Sequence, residues 1–537
     1  MTGPARPAAR PGAAPAPGRI DAHLRAAAAR HPDRPALVDR GRTWTYGELD
    51  RETDRWAAAL ARHGVRPGAV VSWQLPNRAE AVVLHQATLR IGAISNPIVP
   101  IYRHAEVGFI LRQARSEIVV VPAEFRGFDF PAMVGDLRAD LPDLATVVVV
   151  GTAPPGDGVV GLEDFLSAPA TEPTPPEPAV PDDPDALALL LYTSGTTSDP
   201  KGVLHTHATL EHENHSMIEF FGLTGSDVVF MPSPVTHVTG VLYGLQLPFM
   251  IGAPVVLLDV WEPGAGLDLI ERHGCTFVVA ATPFLHGLVH HPGRTPESTR
   301  TLRVFACGGA DVPPDLVRRA GEQLDCLVVR IYGSTEFPTA TSTNLSDPVR
   351  TRAHTDGRPI GRAQVRVVDD RDRPVPPGTA GHLLVRGPER FVGYLDPTLD
   401  ADAFTADGWF RTGDLAVVDD AGYLEITGRE KDIIIRGGEN LSAKEIEDRL
   451  FEHPGVADVA VVAVPDPVLT ERACAVVVPE PGADVTLPAL TTWLRERHRL
   501  AVQKLPERLL LVDELPRTAS GKVQKFKLRD RLRRSAP

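Results

Sequence analysis

An α/β fold with a large multi-lobed N-terminal part, a small β subdomain and a small α+β unit at the C-terminal end is what the sequence predicts. Three observations carry this. Residues 20 to about 165, and again about 186 to 345, alternate helical stretches with short apolar runs, the pattern of sheets covered by helices. After Gly361 the texture becomes short strands with turn signals, and after Gly428 it changes again, to a capped helix followed by a strand. At 537 residues and 57.9 kDa the chain is long enough for several such units.

In chain order, Met1 to Arg19 is mostly Ala, Pro, Gly and Arg, without the continuous apolar segment of a signal peptide, and reads as a disordered tail (1–19). Helical stretches follow at Ile20–His31, Thr45–His63 and Arg78–Gly92, with strand-length runs at Ala69–Trp73 and Ile118–Val121. The proline-rich segment Ala168–Pro184 cannot enter a central strand and reads as a surface linker. Ala186–Tyr192 is a buried-strand run feeding a hydroxyl-rich glycine loop, and further runs lie at Val255–Leu258, Phe277–Ala280, Val304–Ala306 and Leu327–Ile331. AQVRVVDD, GHLLVRG and GYLEITG are the β subdomain. Ser442 and Glu445 then predict a capping box for a helix Ala443–Phe451, stopped by His453-Pro454-Gly455, with Val459–Val464 as a strand. These shifts divide the chain into 20–430 and 431–537.

Composition narrows the function classes. The formal charge of -13, from 56 basic and 69 acidic residues, disfavours a general nucleic-acid binder, which needs a basic surface. No run of 18 apolar residues predicts an integral membrane segment. Cys275, Cys307, Cys326 and Cys474 fit neither a CxxC metal pair nor a disulfide framework and read as buried thiols of a cytoplasmic protein. Only seven of the 56 basic residues are lysines (201, 431, 444, 504, 522, 525 and 527), so some of these positions are expected to need an ammonium rather than a guanidinium.

The loop Thr193, Ser194, Gly195, Thr196, Thr197, Ser198, Asp199, Pro200, Lys201, Gly202 offers five hydroxyls, backbone N–H groups and one ammonium to a phosphate chain, but it has no GK[ST] and is not a Walker A loop. Downstream, in order, stand VTHVTG (235–240), CGGADVP (307–313), YGSTE (332–336), WFRTGDL (409–415), GREKDIIIRGGEN (428–440) and PRTASGKVQK (516–525). With the loop, these segments resemble the acyl-adenylate-forming superfamily of acyl-CoA ligases, nonribosomal adenylation domains and luciferases.

The resemblance implies an ATP-dependent acyl-CoA ligase with ATP, Mg2+ and CoA as cofactors, in which a carboxylate attacks the α-phosphorus and CoA then displaces AMP. Two anions must approach, so cations and donors have to converge there. By resemblance Thr193, Ser194, Gly195, Thr196, Thr197 and Lys201 hold the β and γ phosphates. Ser334 lies within the nucleotide-binding YGSTE motif, Thr335 contacts the phosphate and Glu336 ligates Mg2+. Gly309, Ala310, Asp311, Tyr332 and Gly333 form the adenine slot, and Asp414 and Arg429 reach the ribose. Lys522 is the catalytic ammonium bridging carboxylate and α-phosphate, set against the alternative of a solvated lysine in a basic tail.

Lys431 marks a hinge about which the small domain is mobile, so that Gly437, Gly438 and Glu439 face CoA in a second pose; an ordinary tight turn at Gly437-Gly438 is the alternative. His237, Val238, Gly240 and Gly308 are expected around the acyl group, with Gly244 and Gly333 also leaving space; His237 either gates that pocket or packs in the core. Ser198 and Asp199 depart from the family's usual glycine and put an acid near a triphosphate. The expected acid is hydrophobic, medium-chain or bulky alicyclic. Expected partners are small molecules, with a homodimer left open. Alternatives are an adenylating enzyme that loads a carrier protein or partner enzyme, and a non-catalytic nucleotide-binding protein.

Overall fold

The computed structural model describes residues 18–167, 183–193, 200–436, 439–466, 468–518 and 521–534. The predicted helices form at Ala22–Arg30, Tyr46–Arg62 and Ala79–Arg90, the second closed by a full capping box between Thr45 and Glu48. Most of the predicted linker and residues 1–17 of the predicted tail lie outside the described residues. Arg19, placed in the tail by sequence, is instead packed, donating to the Leu89 carbonyl and pairing with Asp21.

Two large sheets carry the N-terminal part. In one, Pro35–Asp39, Val255–Leu257, Val229–Met231, Phe277–Ala280, Val304–Gly308 and Leu327–Tyr332 run parallel as neighbours in that order. Their near-continuous Val, Phe and Ala content is what helix cover on both faces demands. The other has Leu187–Thr193 between Ile94–Pro97, parallel to it, and Lys201–Thr206, antiparallel. The β subdomain is a four-stranded antiparallel sheet of Gln364–Val368, Gly381–Arg386, Phe410–Val418 and Leu424–Arg429. The sequence pattern predicts three of these strands; the fourth, Phe410–Val418, lacks a clean alternation of buried and exposed positions.

The C-terminal unit folds about its own apolar cluster, including Ile434, Leu441, Ile446, Leu450, Val461 and Ala475. Its long hairpin pairs Val456–Asp466 with Thr470–Pro479, so the predicted strand is longer at both ends. Only half of the predicted capping box forms: Ser442 Oγ accepts from Glu445 N (3.2 Å) and donates to the Thr427 carbonyl (2.6 Å), while Glu445 binds Lys504 (2.6 Å) instead of returning to the cap. All four cysteines are free and buried, as expected. Among the described residues, no helix is long and apolar enough to cross a membrane.

Candidate active site

Parallel sheets leave a crevice beyond the carboxyl ends of their strands, where ligands collect. The singled-out motifs sit at such ends: Gly309–Asp311 follow Val304–Gly308, Gly333–Glu336 follow Leu327–Tyr332, and Pro234–His237 follow Val229–Met231. The glycine loop is anchored by antiparallel pairing of Thr193 with Lys201, so it returns as a strand rather than running into a helix N-terminus. Ser194, Gly195, Thr196, Thr197, Ser198 and Asp199 themselves lie outside the described residues.

The Tyr332–Glu336 segment is held as a tight hairpin. Ser334 N donates to Phe337 O (2.8 Å), Phe337 N donates to Ser334 Oγ (3.3 Å), and Ala340 N donates to Tyr332 O (2.8 Å). His205, buried and pushed down to about 4 by that burial, fixes the Thr335 carbonyl from Nε2 (2.8 Å). Tyr394, which sequence reasoning missed, donates to Glu336 Oε1 (3.0 Å), and the Lys201 ammonium lies 5.1 Å from the Tyr394 ring centroid. Among the described residues Oε2 of Glu336 takes no protein hydrogen bond, so a hard oxygen is left for a cation, which fits Mg2+.

Asp414 is buried on the strand Phe410–Val418 rather than in a turn. Its Oδ2 accepts from the Tyr332 hydroxyl (2.6 Å), and its Oδ1 lies 2.8 Å from Arg429 Nε across the neighbouring strand. Lys522 arrives from the other end of the chain. Thr518 N donates to Lys522 O (2.7 Å) and Lys522 N donates to Thr518 Oγ1 (3.0 Å), closing a turn. Gly521, at φ +86, lets that turn touch the large domain, since a Cβ there would stand 2.7 Å from Pro283 Cγ.

The Lys522 ammonium is pulled down to about 8, first by burial and then by Arg429, against the attraction of Asp414, Asp432 and Glu336. His237 caps the helix Val238–Leu245 and is pushed down to about 4 by burial and by the facing Lys522, so it is a neutral imidazole. The fold therefore brings residues 237, 336, 414, 429 and 522 into one electrostatic neighbourhood.

A Cβ at Gly240, Gly244, Gly308 or Gly333 would stand 2.1 Å from Pro234 O, 2.8 Å from Met231 Cγ, 2.3 Å from Ile331 O and 1.9 Å from Pro338 O, respectively, so the packing of the protein itself requires glycine there. Asp311, assigned to the adenine slot, directs its carboxylate to Lys444. Gly437 and Gly438 lie outside the described residues, as does the Glu439 side chain; Lys431 sits in a single 3-10 turn, Glu430–Asp432.

Packed against Thr339, just beyond the Tyr332–Glu336 hairpin, is a second feature missed by sequence reading. Fully buried Glu213 has Oε1 2.5 Å from the Tyr243 hydroxyl, which is 2.7 Å from Thr339 Oγ1, and Thr339 N donates to Glu213 Oε2 (3.2 Å). Burial pushes Glu213 up to about 8, so it holds a proton that the unfolded chain would release. The sign follows: this contribution to stability is lost as pH rises from the ordinary carboxylate range through about 8. Glu213→Gln is expected to flatten the decline in Tm over that window; an unchanged slope would place its origin elsewhere.

A crevice at the strand ends, a glutamate with one oxygen left open and a lysine delivered by a separate C-terminal unit fit an adenylate-forming enzyme. Residues 24–395 match the model of the AMP-binding enzyme family and residues 445–522 that of the AMP-binding enzyme C-terminal domain, and the chain belongs to this family. It is an AMP-forming acid–CoA ligase that works with ATP, Mg2+ and CoA. The chain is 38% identical over 501 residues to the medium-chain fatty-acid–CoA ligase of Escherichia coli, covering 93% of this chain and 88% of that one. It is 36% identical to the salicyl-AMP ligase / salicyl-S-ArCP synthetase of Mycobacterium tuberculosis, covering 94% and 89%. Among solved structures, ATP-bound MatB from Rhodopseudomonas palustris superposes with a TM-score of 0.83 at 29% identity, covering 96% and 98%.

Proposed function

We propose that the acid is hydrophobic, medium-chain or bulky alicyclic, and that the two half-reactions share one crevice. In the first, Thr193 to Thr197 with Lys201 hold the β and γ phosphates, Thr335 contacts the phosphate, and Glu336 holds Mg2+. Gly309, Ala310, Tyr332 and Gly333 frame the adenine, Asp414 and Arg429 hold the ribose, and Lys522 bridges the attacking carboxylate and the α-phosphate. In the second, the unit 431–537 turns about Lys431 relative to 20–430 and brings Gly437, Gly438 and Glu439 to the CoA side. The observation that carries this reading is the convergence of Lys522 with His237, Glu336, Asp414 and Arg429. Buried free thiols support a cytoplasmic setting.

The acid class is supported by the 38% identical Escherichia coli relative, a medium-chain fatty-acid–CoA ligase. A second reading, transfer to a carrier protein, is favoured by the 36% identical salicyl-S-ArCP synthetase. ATP–pyrophosphate exchange over a panel of aliphatic, alicyclic and aromatic acids tests the first; acyl release by CoA against transfer to a carrier protein separates the two. His237 borders the carboxylate in this reading, so His237→Ala is expected to reorder the acids while changing the apparent affinity for ATP little. A lowered Tm with the acid order preserved would make it a packing residue.

A further inference from the structure

We infer that Lys444 is a positioning residue for adenylation: its ammonium pins the C-terminal unit to the loop after the strand Val304–Gly308 and so sets Lys522 in place. The inference rests on the adenylation reading above and adds a residue to it. Lys444 is one of only seven lysines, and neither half-reaction as described uses it. It stands in the first turn of the helix Ala443–Phe451, where its ammonium binds Asp311 Oδ1 and also lies 3.0 Å from each carboxylate oxygen of Asp448, one turn further on.

The two partners differ in what rotation does to them. Asp311 precedes the hinge and Lys444 follows it, so turning the C-terminal unit about Lys431 separates them. Asp448 is on the same helix as Lys444 and travels with it. Departure therefore exchanges a shared ammonium for a singly paired one and leaves no stranded buried cation, which would be costly. Three donors on a compact head suit two carboxylates converging from different directions, and a planar guanidinium fork suits them less well.

Other contacts place the same surfaces together. Gly521 meets Pro283 of the helix Thr282–His290, and His286 on that helix feels both Asp458 and Arg517 of the C-terminal unit. Arg517 in turn holds the Lys522 turn, donating to Gly521 O (2.5 Å). Lys444–Asp311 is a charged contact in this interface whose partners lie 133 residues apart.

The test uses full-length Lys444→Ala and Lys444→Arg with Lys522→Ala alongside, each checked for an unchanged Tm. Two assays are run: ATP–pyrophosphate exchange with the best acid, and thioester formation from synthetic acyl-AMP and CoA. For Lys444→Ala the expected result is a loss of about fivefold or more in kcat of exchange, in the range of ordinary coupling between sites. KM for ATP should change little, and thioester formation should proceed at or above the unsubstituted rate; Lys444→Arg should recover part of the exchange. Equal losses in both assays, no loss in either, or a rise confined to KM for ATP overturns the positioning role while leaving the Lys522 result standing. Absence of exchange in the unsubstituted chain overturns the adenylation reading itself, and the positioning role with it.

Discussion

Lys522→Ala is expected to lower adenylation by at least roughly 10²- to 10³-fold, the usual consequence of removing one preorganised electrostatic donor from a water-poor site. The loss should appear in ATP–pyrophosphate exchange with every acid, because the ammonium acts on charge at the α-phosphorus and not on the acyl chain. Attack of CoA on supplied acyl-AMP should survive, since in the proposed scheme rotation about Lys431 carries Lys522 away. The pH dependence gives an independent reading. The ammonium is held down to about 8, by burial first and Arg429 next, and in the proposed role the protonated form is the active one. The free enzyme's kcat/KM for ATP should therefore fall as pH rises through about 8. Lys522→Arg should abolish that falling limb and recover little rate, because a guanidinium stays protonated but is not a compact point charge. A variant as inactive with acyl-AMP as with ATP would remove the assignment of Lys522 to the first half-reaction alone.

The ordered motifs were legible because each is a short, continuous string: Tyr332–Glu336 ends one strand, Asp414 lies within another and Lys522 in a turn. What sequence could not supply is pairing between distant elements. Glu213 reads as an ordinary polar position of the helix His207–Phe221, and only the packing of Tyr243 and Thr339 around it makes it a buried, protonated acid. Tyr394 belongs to a two-residue edge strand, too short for any periodicity, yet it fixes the orientation of Glu336. Small residues are ambiguous in a different way. A glycine announces that a Cβ is forbidden but not whether substrate or backbone forbids it, and at Gly240, Gly308 and Gly333 the obstacle is a carbonyl of the protein. The scarcity of lysine was the one compositional signal that pointed beyond the motifs, and Lys444 is where it led.

Glu336→Gln is the second change with a large expected effect, because it inverts the chemistry of one atom without altering shape. In the unsubstituted chain Tyr394 donates its hydroxyl proton to Oε1, which leaves Oε2 as the face turned to a cation. A glutamine that accepts from Tyr394 through its amide oxygen turns its NH2 group, a donor with no lone pair to give, toward the metal; flipped, it donates that NH2 to the Tyr394 oxygen and offers the metal a neutral amide oxygen in place of a carboxylate. Hydrogen-bonding partners of metal ligands already cost about 10- to 100-fold in metal affinity when lost, and a ligand itself should cost at least as much. The apparent Mg2+ affinity in pyrophosphate exchange is therefore expected to weaken by at least roughly tenfold, with much of the rate regained at high Mg2+, since the ion also reaches the site on the phosphates of ATP. The Tm should stay near that of the unsubstituted chain because the Tyr394 hydrogen bond persists. Exchange at limiting Mg2+ that is indistinguishable from the unsubstituted chain would mean that Glu336 does not hold the metal, and Oε2 would then need another partner.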